Sequence, residues 1–200
     1  MTYTLQLSLP DTQLPWRYPR VMDDGEFETF YRANPDLSME REPDGTVQIM
    51  TAVTPNSGSR ELELMTELNL YRRRVGGRSF SSNTLLRLPD TSIRMPNACH
   101  VSETQVAKYT KEELDHIVEL VPEFVAEVMS PTDRLNDAQE KMRDVWIANG
   151  VQLGWLIDVN NDRMWIYRAD GTITEVSPLD RVITGEDVLP GFEFDLALFT

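Results

Sequence analysis

Two charged residues in the stretch Pro122 to Asp158, PEFVAEVMSPTDRLNDAQEKMRDVWIANGVQLGWLID, lie where apolar side chains belong. Glu127 alternates with Val125 and Met129 along an apolar run, so it shares their face. Lys141 falls inside the stripe Ala138, Met142, Val145 and Trp146 of the helix that follows. Burying either charge alone costs several kcal/mol, on the order of what an isolated buried ion costs in real proteins. Both therefore need a partner or a wet cavity. A carboxylate at a strand end and a lysine reaching it from the next helix would satisfy both demands. A purely structural ion pair would satisfy them equally well.

The elements that position these two residues are legible around them. Phe124 to Met129 reads as a short apolar strand, followed by the polar turn Ser130 to Arg134. A helix is expected over about Asp137 to Asn149, closed by Gly150, where a helix C-terminus favours glycine. Leu153 to Asp158 is a second apolar strand. Strand, helix and apolar strand in that order predict a parallel crossover over a buried sheet.

Composition narrows the chemistry further. A net charge of −14 argues against broad adhesion to nucleic acid, although it leaves room for a local basic patch. Arg72, Arg73, Arg74 and Arg78 form one such cluster, which also suits the solvated end of a helix. One cysteine, Cys99, excludes an intramolecular disulfide and fits a reducing compartment. With only two histidines, His100 and His116, a nitrogen- or sulfur-rich zinc site is implausible, so any metal would be a hard cation on oxygen. No apolar run approaches the length of a membrane span and the N-terminus has no signal-peptide pattern. The expectation is a cytoplasmic protein with no membrane partner.

Along the rest of the chain, residues 1–20 read as a loosely packed arm and 21–200 as one domain with no linker or repeat. Residues 22–34 predict a short amphipathic helix burying Phe27, Phe30 and Tyr31. Leu37 to Glu42 and Thr46 to Thr51 flank the turn Pro43-Asp44-Gly45 and predict a hairpin. Glu40, in its first strand, reads on its own as an exposed strand residue. Ser59 to Val75 predicts a helix packing Leu64, Leu68, Tyr71 and Val75, with Leu62 and Met65, into the core. Phe80 to Leu88 and Ile93 to Ser102 each read as strands. Thr110 with Glu113 suggests a capped helix through about Leu120, with His116 on its outer side. After Asp158, strands are expected at 164–168 and 173–176, with an alternating tail at 188–199.

In this order, IRMPNACHVS (93–102), PEFVAEVMSPTDR (122–134), QEKMRDVW (139–146), NGVQLGWLIDV (149–159), MWIYR (164–168) and LPGFEFDLALF (189–199) resemble the Uma2 family of restriction-endonuclease-like proteins. The resemblance runs from about Met22 to Phe199. It implies a PD-(D/E)xK-type α/β fold, a mixed central sheet flanked by helices, with an N-terminal hairpin and C-terminal strands. It also implies a DNA endonuclease using Mg²⁺ or Mn²⁺, often working as a homodimer.

Carried over residue by residue, the aspartate of the Pro-Asp motif falls at Asn97, after Pro96, and the second acid at Glu127. The usual lysine two positions on is Met129 here, and the family supplies its lysine from the following helix, at Lys141. Glu127, Asn97 and the carbonyl of Val128 would then be the metal ligands, and Lys141 would orient water or stabilise phosphate charge. Arg134 could contact phosphate or simply cap the helix. Glu40 aligns loosely with a further family acid. Asp90, after Pro89, offers a second Pro-Asp, but in an expected turn. Asn97 is the departure that matters: its amide oxygen can ligate a metal, but the site loses one full negative charge. The alternative function is therefore an inactive nuclease fold serving as a nucleic-acid-binding or regulatory module.

Overall fold

The computed structural model describes residues 16–18 and 20–199. Most of the expected N-terminal arm lies outside them. Strand β1 (Trp16–Tyr18) nevertheless pairs with the hairpin, so the first sheet begins inside that arm.

Helix α1 (Asp24–Ala33) opens on a capping box: Asp23 accepts from the Glu26 amide, and Glu26 reaches back to the Asp23 amide. Phe27 is fully buried, while Phe30 and Tyr31 are half-buried. The hairpin forms as expected from β2 (Met39–Arg41) and β3 (Val47–Ile49). Helix α2 (Pro55–Val75) starts earlier than expected, because Thr54 caps it and Pro55 suits its first position. Its buried stripe is Ser57, Glu61, Leu64, Leu68 and Tyr71, whereas Leu62 and Val75 are exposed. The arginine cluster sits in the last turn of α2 and just beyond, the dipole-favoured position.

Two expected strands are each divided. Residues 78–88 form β4 (Arg78–Phe80), a turn, and β5 (Leu86–Arg87), which lie in different sheets. Likewise β6 (Ile93–Arg94) and β7 (Ala98–Val101) belong to different sheets, with Met95-Pro96-Asn97 as the crossing. After the single turn α3 (Glu103–Val106), the expected helix through Leu120 does not form. Thr110 and Glu113 do exchange their capping bonds, but only a 3₁₀ turn, Glu113–Asp115, follows. The chain is instead extended against β5, where Arg87 bonds the backbone of Val118 and Leu120. Tertiary pairing overrides the local cap there.

The crossover is as expected. Strand β8 (Phe124–Val128) runs parallel to β9 (Leu153–Asp158), with Glu127 opposite Leu156. Between them, α4 (Leu135–Glu140) continues as a π-helical segment, Lys141–Ile147. Strands β10 (Arg163–Arg168), β11 (Ile173–Val176), β12 (Val182–Gly185) and β13 (Leu189–Asp195) complete the described chain, followed by a 3₁₀ turn.

The central sheet has the order β11-β10-β9-β8-β7-β4 and is mixed, with the β8–β9 pair parallel. One face packs on α2 and the C-terminal hairpin through Phe124, Trp155, Phe192 and Leu68. The other packs on the crossover helix through Val125, Met129, Met142, Trp146 and Leu156. The alternation along β8 thus distributes its residues to two cores. A second sheet, β1-β3-β2-β6-β5, has its own smaller core around Phe27, Met39 and Ile93.

Candidate functional site

Glu127 is the penultimate residue of β8 and faces the crossover helix. Its Oε1 accepts from Trp146 Nε1 at 2.8 Å and lies 3.0 Å from Lys141 Nζ. The π-helical segment makes this double contact possible. Residues five apart on an α-helix point about 140° away from each other. Here the backbone bonds run five residues back, from Ala148 to Arg143 and from Val151 to Trp146. The wider turn brings Lys141 and Trp146 to the same side, with Nζ 5.8 Å from the indole centroid.

Lys141 also reaches the other sheet. Its Nζ is 3.4 Å from Glu40 Oε1, on β2. Glu40 is not an exposed strand residue. It is only 3% exposed, accepts from the Met95 amide at 2.9 Å, and lies 3.3 Å from Arg94. Arg94 is itself buried and bonds Glu42 at 2.9 Å. The strand pattern of the hairpin could not show this, because all of β2 is buried and the partners of Glu40 come from β6, the Met95 amide and a remote helix.

The two carboxylates that share Lys141 are electrostatically different. Burial raises the Glu127 carboxyl, Lys141 only partly offsets this, and nearby Glu40 raises it further, so it sits above the ordinary value. Burial acts the same way on Glu40, but Lys141, Arg94 and the Met95 amide outweigh it and hold that carboxyl low. Burial would lower Lys141, yet Glu127 and Glu40 push it upward, so the ammonium stays charged. Glu40 is the fixed counter-ion. Glu127 is the carboxyl that burial disfavours as an anion, and Lys141 offsets that only in part.

Asn97 occupies the crossing between β6 and β7. Its Oδ1 accepts from the Val128 amide at 2.8 Å, and its Nδ2 donates to Glu61 Oε1 on α2 at 3.1 Å. The side chain therefore ties α2 to the end of β8, beside Glu127. Glu61 is 5% exposed, and burial, with Glu127 adding to it, raises its carboxyl. Sequence reading missed Glu61, although the signal was of the same kind as for Lys141: it stands in the spacing 57, 61, 64, 68, 71 of a buried stripe.

The remaining expected positions lie apart from this cluster. Arg134 is exposed at the N-cap of α4 and its side chain makes no capping bond. Asp90 is engaged in its own turn, accepting from the Ser92 amide, while its amide donates to Asn149. His116 is exposed and bonds Glu28 on α1 at 2.8 Å. Among the described residues there is no group of three or more His, Cys, Asp or Glu placed to hold a metal ion. No helix among them is long and apolar enough to cross a membrane.

The fold is shared with a solved structure titled a putative nuclease belonging to DUF820, from Anabaena variabilis ATCC 29413. The TM-score is 0.67 at 14% identity, covering 80% of this chain and 88% of that one. At that identity the likeness establishes the fold alone. No curated protein matches the chain. The Uma2 family model, described as "Putative restriction endonuclease", matches residues 24–197 and so takes in β2, α2, β8 and the crossover helix alike. The chain belongs to the Uma2 family.

Proposed function

We propose that the protein is a divalent-cation-dependent nuclease that hydrolyses phosphodiester bonds in DNA, with Glu127, Lys141 and Asn97 at its centre. The observation that carries this reading is the contact of Lys141 with Glu127 at the end of the parallel crossover, in a chain of this family. Glu40 is added as the residue that fixes Lys141.

The donors present suit a hard cation. Glu127 spends Oε1 on Trp146 and Lys141, and its Oε2 has no hydrogen-bond partner among the described residues. The Asn97 Oδ1 takes one hydrogen bond, from Val128, and a carbonyl oxygen has a second lone pair. These two, with the Val128 carbonyl, would hold a Mg²⁺ or Mn²⁺ that keeps several waters, which is the habit of Mg²⁺. When bound, the cation would supply Lewis-acid polarisation of a phosphoryl oxygen and a lowered pKa for its water. Lys141, charged and partly exposed, stabilises negative charge on the phosphate and orients the attacking water through Nζ. Glu40 holds that ammonium in place throughout. Two copies acting together would cut both strands.

The test is cleavage of plasmid and single-stranded DNA in Mg²⁺ and Mn²⁺. Cleavage by the wild type that is lost in Glu127→Gln supports an active enzyme. A second reading, a DNA-binding module without catalysis, is favoured by Asn97 in place of an aspartate. It would be supported if only Asn97→Asp cuts.

A further inference from the structure

The cations inside the candidate site already face its own carboxylates: Lys141 lies against Glu127 and Glu40, and Arg94 against Glu40 and Glu42. The pull on the rest of a DNA backbone must come from cations outside that cluster. Such cations are scarce. Acidic side chains outnumber basic ones 33 to 19, and most described arginines lie against a carboxylate, as Arg32 does with Glu28 and Arg168 with Glu186. Arg60 and Arg134 have no carboxylate within ion-pair distance among the described residues.

Both stand at the end of the central sheet that holds Glu127, on opposite faces. Arg60 precedes Glu61 on α2, and Glu61 accepts from Asn97, which in turn bonds the Val128 amide at the end of β8. Its Nη1 donates to Asn160 Oδ1 at 3.1 Å, in the turn Val159–Asn161 that follows β9. That neutral bond steadies the guanidinium and leaves its remaining donors for an anion. Arg134 begins the crossover helix on the other face, exposed and making no capping bond. A planar guanidinium fork matches phosphate oxygens well. We propose that Arg60 and Arg134 grip the DNA backbone on either side of the scissile phosphate, so that the bound strand crosses the end of β8 from α2 to the crossover helix. The inference rests on the nuclease reading above and gives its substrate a path.

The test is binding of a fluorescently labelled DNA duplex to the full chain, followed by anisotropy over a range of potassium chloride concentrations, in EDTA and in Ca²⁺. Each phosphate contact adds about 0.9 to the slope of log affinity against log salt. Arg60→Gln and Arg134→Gln should each lower that slope by about 0.9, and the double variant by roughly twice as much. Arg60→Gln keeps an amide that can still donate to Asn160, and Asn160→Ala removes the tie while keeping the charge. A purely structural Arg60 would therefore leave the slope unmoved, and Asn160→Ala should leave it at the wild-type value. So should Arg181→Gln, whose guanidinium lies against Asp180 on the exposed surface. If the wild type binds and Arg60→Gln keeps its slope, Arg60 is no contact and the nuclease reading survives without it. A change in Arg60→Gln alone overturns the crossing path. No salt-dependent binding by the wild type in either medium overturns the grip, and no cleavage in Mg²⁺ or Mn²⁺ overturns the nuclease reading with it.

Discussion

The Nζ of Lys141 lies 3.4 Å from Glu40 Oε1, joining residues 101 apart in sequence, one on the crossover helix and the other on the second sheet. With Glu127 3.0 Å away on the central sheet, one ammonium closes the gap between two layers of structure. Lys141 is therefore a structural tie as well as a member of the proposed site.

This sets the outcome for Lys141→Met. On sequence alone the change should leave stability unchanged or improve it. In the structure it strips Glu127 of its cation and leaves Glu40 to Arg94 alone. Because Lys141 keeps 26% of its side chain exposed, the loss should be smaller than for a fully buried pair, about 2 kcal/mol. Urea unfolding would measure it, and Lys141→Met/Glu127→Gln should recover part of the loss. An unchanged midpoint in the single variant would mean that the ammonium contributes nothing to folding.

Arg94 makes the stronger structural case. It is buried, and it serves both Glu40 and Glu42 through its forked guanidinium. Arg94→Met should cost about 3–5 kcal/mol, the range for breaking a buried pair. Arg94→Lys should rescue little, because an ammonium cannot reproduce the fork. Recovery on adding Glu40→Gln would show that the cost is the carboxylate left behind.

Stability should also depend on pH through Glu61. Its carboxyl is raised above the ordinary 4.5, so the folded state binds more protons than the unfolded state just above that pH. Stability therefore falls as pH rises from about 4.5 through the folded value. Glu40 works in the opposite sense: it is held low, and its contribution is lost only as pH falls below about 4.5. The stability advantage of Glu61→Gln over the wild type should widen from pH 4.5 upward and then level off. A difference that does not change with pH would contradict the raised carboxyl.

Cys99 offers a check on the core. It is fully buried, and burial pushes its thiol up to about 12. Thiol reagents at pH 8 should label it no faster than the fold opens, with full labelling in denaturant. Rapid labelling of the native protein would mean that the face of the sheet under the crossover helix is looser than its packing indicates.

The sequence by itself determined the crossover. Apolar strands flanking one helix can bury themselves only as a parallel pair under that helix, and Glu127 and Lys141 stood out because each broke a local period. It also named Asn97 as the departure. Tertiary structure alone decided the rest. Glu40 looked exposed because a single strand carries no record of the sheet and helix that cover it. The widened turn at Lys141 lets both Lys141 and Trp146 bond Glu127, a partner on β8 that the helix's own spacing does not show. The cap at Thr110 failed to grow a helix because the chain beyond it found backbone partners on β5. Glu61 broke the α2 stripe as plainly as Lys141 broke its own. Its proximity to Asn97 needed α2, β7 and β8 in place, and no spacing along the chain contains that.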